Sequence, residues 1–220
     1  MRPVDASSLI VIDRTDGPAR VLMGRRSARH TFMPSVFVFP GGRVDRGDGS
    51  IGAATELRPE DRTRLLLDMK GRPTVRRARA LALAGLRETA EETGHVLGHR
   101  GDGANEPIFD RCGRVPALDA LRFVARATTP PGRTRRFDTR FFACFLDRLP
   151  DATRRDDATD ELEQVQWVPL ERETGLDMHR ITRIILDELR VRLRRDPDLA
   201  ADLPIPHHHM RFGSFMRVEL

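Results

Sequence analysis

Apolar residues first come in short continuous runs, then at a helical spacing. Leu9-Ile10-Val11-Ile12 within residues 7–13 and Val21-Leu22-Met23 within 20–27 read as two strands of a hairpin around Asp16-Gly17-Pro18. Val36-Phe37-Val38-Phe39 reads as a further strand, closed by Pro40-Gly41-Gly42. Residues 45–76 begin polar and glycine-marked, and Pro59-Glu60-Asp61 then predicts a helix start leading into Leu65-Leu66-Leu67. Over 78–97 the spacing predicts a helix ended by Gly94 or Gly98. On its wheel Leu83, Leu86, Ala90 and Leu97 lie opposite Glu88. Residues 98–117 read as loop. Residues 121–128 and 137–147 read as strands separated by Pro130-Pro131-Gly132, and 164–168 as one more. Ile181, Ile184, Ile185, Leu189 and Leu193 mark the apolar side of a helix over 177–195. This order predicts an α+β sandwich, a mixed sheet with helices on either side, without internal repeats.

The second half of the first long helix reads Arg87-Glu88-Thr89-Ala90-Glu91-Glu92-Thr93-Gly94. Glu88, Glu91 and Glu92 stand at i, i+3 and i+4, so they share one helical face with neighbours ~5–6 Å apart at Cβ. Each close pair of charges costs about 1 kcal/mol in water and about 3 kcal/mol at an effective dielectric of ~20. On an open helix face that cost is minor, and a solvated acidic face is the ordinary meaning of such a run. Here the charges are of one sign, where a salt-bridged face mixes signs. The half-helix before them is apolar at Leu81, Leu83, Ala84 and Leu86. In a partly closed cleft such a trio requires a cation, and hard divalent ions prefer oxygen ligands. The paired glycines at Gly41-Gly42 let backbone approach a ligand closely.

Together the two segments resemble the Nudix hydrolase box, G-x5-E-x7-R-E-U-x-E-E-x-G-U, where U is a bulky apolar residue. Gly42 matches its first glycine, and Arg87, Glu88, Glu91, Glu92 and Gly94 match its second half. Arg87 lies 45 positions after Gly42, against 14 in the pattern, which implies a 31-residue insertion. Arg79 stands where the pattern has its first glutamate, and Thr89 and His95 replace apolar residues. A split box opening on Val38-Phe39-Pro40-Gly41-Gly42-Arg43-Val44-Asp45 looks like a subgroup that includes peroxisomal coenzyme A diphosphatases. Leu22, Arg26 and Ser27 fall in register with a motif of Nudix enzymes acting on coenzyme A. In that motif Met23, Gly24, Thr31 and Ser35 depart from the pattern.

The resemblance implies a Nudix-type α/β/α sandwich with a mixed β-sheet and a helical insertion within the box. It implies a single domain over 1–220, with the insertion at about 45–76 and a C-terminal helix and tail at about 177–220. It further implies Mg²⁺-dependent (or Mn²⁺-dependent) cleavage of the diphosphate bond of a nucleoside diphosphate linked to another moiety: a coenzyme A derivative, ADP-ribose or a dinucleotide. Metal ligands would be Glu88, Glu91, Glu92 and the carbonyl of Gly41. Arg26, Gly41 and Gly42 would meet substrate, and Arg87 would orient carboxylates or contact phosphate. The general base would be Glu88, or Glu161 or Glu163 from the acidic stretch 156–163. Two rival classes are a non-hydrolytic nucleotide- or coenzyme-binding regulator and an RNA-directed decapping-type hydrolase. The intact glutamate trio argues against a pure binder.

Composition adds little to this reading. Net charge is +5, with Lys70 the single lysine among 38 basic residues. Arginine suits bidentate contact with phosphate. The basic residues are interleaved with acids, without a block of the kind that binds nucleic acid, so a small-molecule substrate is expected and nucleic acid is not. Cys112 and Cys144 give neither a disulfide framework nor metal-ligand spacing, which suits a reducing, cytoplasmic setting. No apolar stretch approaches ~18 residues, so no membrane partner is expected. Homodimers are common in the family, which makes a second copy a candidate partner. His207-His208-His209 belongs to a flexible or docked tail, or else Phe212 and Phe215 reach a substrate or a second subunit.

Overall fold

A computed structural model describes residues 2–29, 34–67, 69–171 and 175–220 of the chain. Thr31, one departure from the coenzyme A motif, lies outside the described residues. The chain opens with the strands β1 (Val4–Asp13), β2 (Arg20–Arg26), β3 (Phe37–Val38) and β4 (Gly41–Arg43), then the helices α1 (Pro59–Leu66) and α2 (Val75–Thr93). Short pieces follow: β5 (His95–Val96), β6 (His99–Arg100), α3 (Pro107–Asp110) and β7 (Arg114–Val115). The second half holds β8 (Arg122–Thr128), β9 (Phe137–Phe145), β10 (Thr153–Arg154), β11 (Leu162–Pro169), α4 (Arg180–Arg195), β12 (Pro206–Arg211) and β13 (Ser214–Glu219).

Among the described residues the main sheet has nine strands, ordered β11-β2-β1-β9-β8-β12-β13, with β3 on β2 and β4 on β1. β1 runs parallel to β9, and β12 runs parallel to β8. β1 is buried along nearly its whole length, as a strand covered on both faces must be. Its alternate residues divide between two cores. Leu9 and Val11 join Leu22, Phe142 and the α2 residues Leu81, Leu86 and Ala90. Ile10 and Ile12 join Met23, Phe141 and the α4 residues Ile185, Leu186 and Leu189 on the other face. The α/β/α sandwich is the result. No helix among the described residues is long and apolar enough to cross a membrane.

α2 starts at a Thr74 N-cap, whose hydroxyl accepts from the Arg77 N–H at 3.2 Å. It ends at Gly94, which is left-handed at φ 74°. Leu97 therefore lies beyond the helix, although it remains in the core. The 45–76 insertion is only partly helical, with α1 and one short turn at Asp48–Ser50. Its remainder follows an irregular path held down by Ile51 and Leu57. Residues 98–117, read as loop, carry β6, α3 and β7, pinned by buried Ala104 and Phe109. The histidine segment is docked: β12 joins the sheet with His207 and His208 buried, while Phe212 is exposed. Phe215 stacks on His208 at 5.7 Å.

Phe142 lies fully buried beneath α2, 5.8 Å from the Phe123 ring. Phe142→Ala is expected to cost about 3–5 kcal/mol of unfolding free energy, measured by denaturant titration. A loss below about 1 kcal/mol would show that this face of the sheet is not the packed core.

Candidate active site

The acidic end of α2 is held against the Pro40-Gly41-Gly42 corner. Pro40 is fixed first: its carbonyl accepts from the Leu9 N–H and the Ser8 hydroxyl, both at 3.0 Å. Gly41 then turns at φ +152°, with the Ser7 carbonyl 2.3 Å from where a Cβ would lie. Only glycine tolerates that position. The turn aims the Gly41 N–H at the Glu92 carboxylate, which accepts at 2.8 Å. At Gly42 a Cβ would stand 2.4 Å from the Glu88 carboxylate carbon and 2.5 Å from each of its oxygens. The two glycines thus form the wall against which Glu88 and Glu92 rest.

Arg87 is the hub of the cluster and is only 7% exposed. Its Nε and Nη2 donate to the two oxygens of buried Asp48 at 2.7 and 3.2 Å. Its Nη1 lies 2.9 Å from both Glu88 and Glu91. Asp45 is a further neighbour at 3.8 Å. Asp48 itself is fixed by the Asp45 N–H at 2.7 Å. Burial drives the Glu92 carboxyl up to about 8, against the Gly41 hydrogen bond and Arg26, with Glu88 and Glu161 adding repulsion. Burial likewise takes Glu88 up to about 7 despite Arg87, and raises Glu91. Arg87 is driven further above its ordinary value by Asp48, Glu88 and Glu91, against its own burial.

The far wall comes from β2 and the segment before β11. Arg26 and Leu162 are register partners, and the Ser27 N–H donates to the Glu161 carbonyl at 3.1 Å. The Thr159 N–H caps the Glu91 carbonyl at the end of α2 at 2.8 Å. Glu161 and Glu163 are both exposed. Glu161 acts electrostatically on both Glu88 and Glu92, whereas Glu163 stands opposite Arg25 in the β11–β2 ladder. The structure therefore brings Arg26, Gly41, Gly42, Arg87, Glu88, Glu91, Glu92 and Glu161 together, with Glu163 on the flank.

The departures from the box pattern have local explanations. Thr89 is buried, and its hydroxyl donates to the Gly85 carbonyl one turn back at 2.7 Å. The His95 ring meets Thr93 through Nδ1 and stands edge-on to Trp167 at 5.8 Å. Arg79 pairs with Glu56 at 2.8 Å and so ties the insertion to α2. Asp48 was not anticipated from sequence. The available signal was Arg87 itself, because a cation on a buried helix needs a buried counter-charge, and residues 45–56 hold the nearby acids.

A divalent cation fits the chemistry of this cluster. Arg87 and Arg26 face five carboxylates, Asp48, Glu88, Glu91, Glu92 and Glu161, and three of those resist ionisation because they are buried together. Their oxygens are hard donors. Among the described residues no three acidic, histidine or cysteine side chains already stand in ligating geometry. Glu88 and Glu91 are turned to Arg87, and Glu92 to the Gly41 N–H.

Two outcomes follow. Gly42→Ala should leave the thermal midpoint within a few degrees, since the obstructed atoms belong to a movable side chain, yet weaken Mg²⁺ binding at least ~10-fold in calorimetry. Gly41→Ala meets backbone and should lower the midpoint markedly. Equal effects of the two would contradict the geometry. The second outcome concerns pH. Glu88 and Glu92 ionise in the fold at about 7 and about 8, above the ordinary 4.5, so they favour the folded state at low pH and that contribution is lost as pH rises through those values. In EDTA, stability should fall between about pH 5 and 9, and saturating Mg²⁺ should remove most of the fall. A flat profile in EDTA would contradict the burial of both carboxylates.

Scanned against models of known protein families, the chain matches none. It is 27% identical to the acyl-coenzyme A diphosphatase NUDT19 of Gallus gallus over 208 residues, covering 67% of this chain and 53% of that protein. It is 27% identical over 164 residues to a Caenorhabditis elegans protein that carries the name nudix hydrolase 7, covering 74% of this chain and 50% of that one. The chain thus spans about half the length of the curated relatives it matches. Among solved structures it superposes on a NUDIX hydrolase from Alicyclobacillus acidocaldarius with a TM-score of 0.60 at 26% identity, over 85% of this chain and 90% of the other. Fold, split box and these likenesses together support membership of the Nudix hydrolase superfamily.

Proposed function

We propose that the chain, taken as one catalytic domain over 1–220, is a Mg²⁺- or Mn²⁺-dependent diphosphatase. Its substrate would be a nucleoside diphosphate linked to a second moiety. The observation that carries this reading is the compression of Glu88, Glu91 and Glu92 against Gly41-Gly42 around Arg87. Glu88, Glu91, Glu92 and the Gly41 carbonyl would hold the cation. When bound, it supplies positive charge to phosphoryl oxygens and makes a bound water easier to deprotonate.

The chain's own residues have separable tasks in this reading. Arg87 holds Glu88 and Glu91 in place from below rather than meeting substrate, because its donors are already taken by carboxylates. Asp48 keeps Arg87 in that orientation. Arg26, on the opposite wall, faces the substrate's phosphates. Glu161 is our choice of general base over Glu163, since it is exposed and close enough to act on Glu88 and Glu92. A coenzyme A derivative heads the substrate candidates, supported by the Leu22, Arg26 and Ser27 register and by the activity named for the Gallus gallus relative. ADP-ribose and dinucleotides come next. Cys112 and Cys144 are both free, in keeping with a cytoplasmic protein. The family expectation of a homodimer stands with this proposal.

The test is a panel of coenzyme A, acyl-coenzyme A, ADP-ribose, dinucleotides, nucleoside triphosphates and capped RNA, with Mg²⁺ or Mn²⁺. Phosphate-containing products would be resolved by chromatography. Turnover of a coenzyme A derivative above the others supports the reading, and binding without cleavage across the panel rejects it. Glu92→Gln should lower kcat at least ~100-fold, equivalent to about 2.7 kcal/mol of barrier, with the fold retained. Glu161→Gln should lower kcat by about 100-fold while Glu163→Gln changes it little, and the reverse pattern would move the base to Glu163.

A further inference from the structure

Four buried hydroxyls lie around the acidic end of α2, and three of them are hydrogen-bonded. The Ser8 hydroxyl donates to the Pro40 carbonyl at 3.0 Å. Those of Thr89 and Thr93 donate one turn back along the helix, to the Gly85 and Thr89 carbonyls at 2.7 and 2.6 Å. The fourth belongs to Ser7, which is 1% exposed. Its hydroxyl has no hydrogen-bond partner among the described residues. A buried hydroxyl in that state has lost its water and gained nothing in return, which disfavours the arrangement.

The helix above is shaped to that hydroxyl. Gly85 lies in the interior of α2, where glycine is a poor helix former. A Cβ there would stand 2.8 Å from the Ser7 Oγ, whereas the next nearest atoms, the Cβ atoms of Leu9 and Ser7, would be at an ordinary 3.7 Å. The hydroxyl alone therefore demands the glycine. Its place is beside Glu88. Ser7 and Gly42 are register partners between β1 and β4, so their side-chain positions share one face of the sheet. The Glu88 carboxylate fills the position over Gly42. Glu88 follows Gly85 by three residues, which makes them neighbours on the helix, and a helical side chain leans over the preceding turn. Ser7 under Gly85 and Glu88 over Gly42 are thus adjacent corners of one contact between α2 and the sheet.

We propose that Ser7 is a positioning residue for Glu88: its hydroxyl donates to that carboxylate when Glu88 turns from Arg87 to hold a cation. The inference rests on the diphosphatase reading and adds to it a residue outside the box. Without the cation, Glu88 lies 2.9 Å from the Arg87 Nη1 and the Ser7 proton is directed at no acceptor. In the turned arrangement the carboxylate exchanges part of its arginine contact for a hydroxyl donor, and the buried donor gains the partner it lacks. The unpaired hydroxyl weighs on one arrangement of Glu88 and not on the other, so it biases the carboxylate toward the ligating one. Gly85 lets α2 sit low enough over β1 for the hydroxyl to keep that direction.

Two measurements on the full chain, both without substrate, test this: calorimetric titration with Mg²⁺ and the thermal midpoint in EDTA. Ser7→Ala removes an unpaired buried group, so it should raise the midpoint in EDTA by a few degrees. It should nevertheless weaken Mg²⁺ binding at least ~5-fold. A hydroxyl that merely filled space would not move the two in opposite directions. Gly85→Ala puts a methyl where the hydroxyl stands and should weaken Mg²⁺ comparably. The Ser7→Ala/Gly85→Ala protein, whose new methyl has neighbours at 3.7 Å, should bind no more weakly than Ser7→Ala alone. Mg²⁺ binding of wild-type strength in Ser7→Ala overturns the inference and leaves the diphosphatase reading standing. So does a joint fall of midpoint and affinity, or additive losses in the double variant. A wild-type chain that binds no Mg²⁺ removes the diphosphatase reading and this inference with it.

Discussion

Glu88, Glu91 and Glu92 can share one helical turn only because the Arg87 cation is buried among them. Carboxylates at this spacing repel, and burial multiplies the repulsion by removing water. Arg87 offsets much of it by dividing its donors: one edge to Asp48, the remaining nitrogen to Glu88 and Glu91. The arrangement is costly to assemble and costly to break, since removing one partner of a buried ionic cluster strands the others. Glu92 has a different support, the Gly41 N–H, so the two ends of the trio are fixed by independent elements. The rest of the fold serves that arrangement. β1 carries the Pro40-Gly41 corner on its Ser7–Leu9 segment, and the insertion returns to α2 to deliver Asp48.

Periodicity disclosed the skeleton because each long element buries a regular face. The β1 residues Leu9 to Ile12, the α2 residues Leu83 and Leu86, and the α4 residues Ile185 and Leu189 all lie where their spacing put them. The polar run over residues 45–58 gave no such signal, because its position is set by tertiary contacts of single residues such as Ile51, Asp48 and Glu56. Whether the histidine triplet is flexible or docked was left open for the same reason. Its burial comes from pairing with β8 and packing on α4, and neither partner is local in sequence. Residues 98–117 looked structureless because their elements are only two to four residues long.

The candidate site was readable to the extent that it follows helical spacing. Glu88, Glu91 and Glu92 needed only that spacing, and Gly41-Gly42 only a strand ending. The difference between Glu161 and Glu163 was invisible, because a backbone irregularity beside Glu163, with Gln164 at φ 52°, decides which side chain meets the cluster. The sequence also did not reveal that carboxylates crowd the C-terminal end of α2 while buried arginine–aspartate pairs lie beneath its start. The helix dipole disfavours carboxylates at its C-terminal end. Specific ion pairs outweigh it here.

The most direct test is anomalous diffraction from crystals soaked in Mn²⁺. A peak bounded by the Glu88, Glu91 and Glu92 carboxylates beside Gly41, lost in the Glu92→Gln protein, is the result predicted. A fully soaked crystal without a peak there, with those side chains still turned to Arg87 and the Gly41 N–H, would contradict the account.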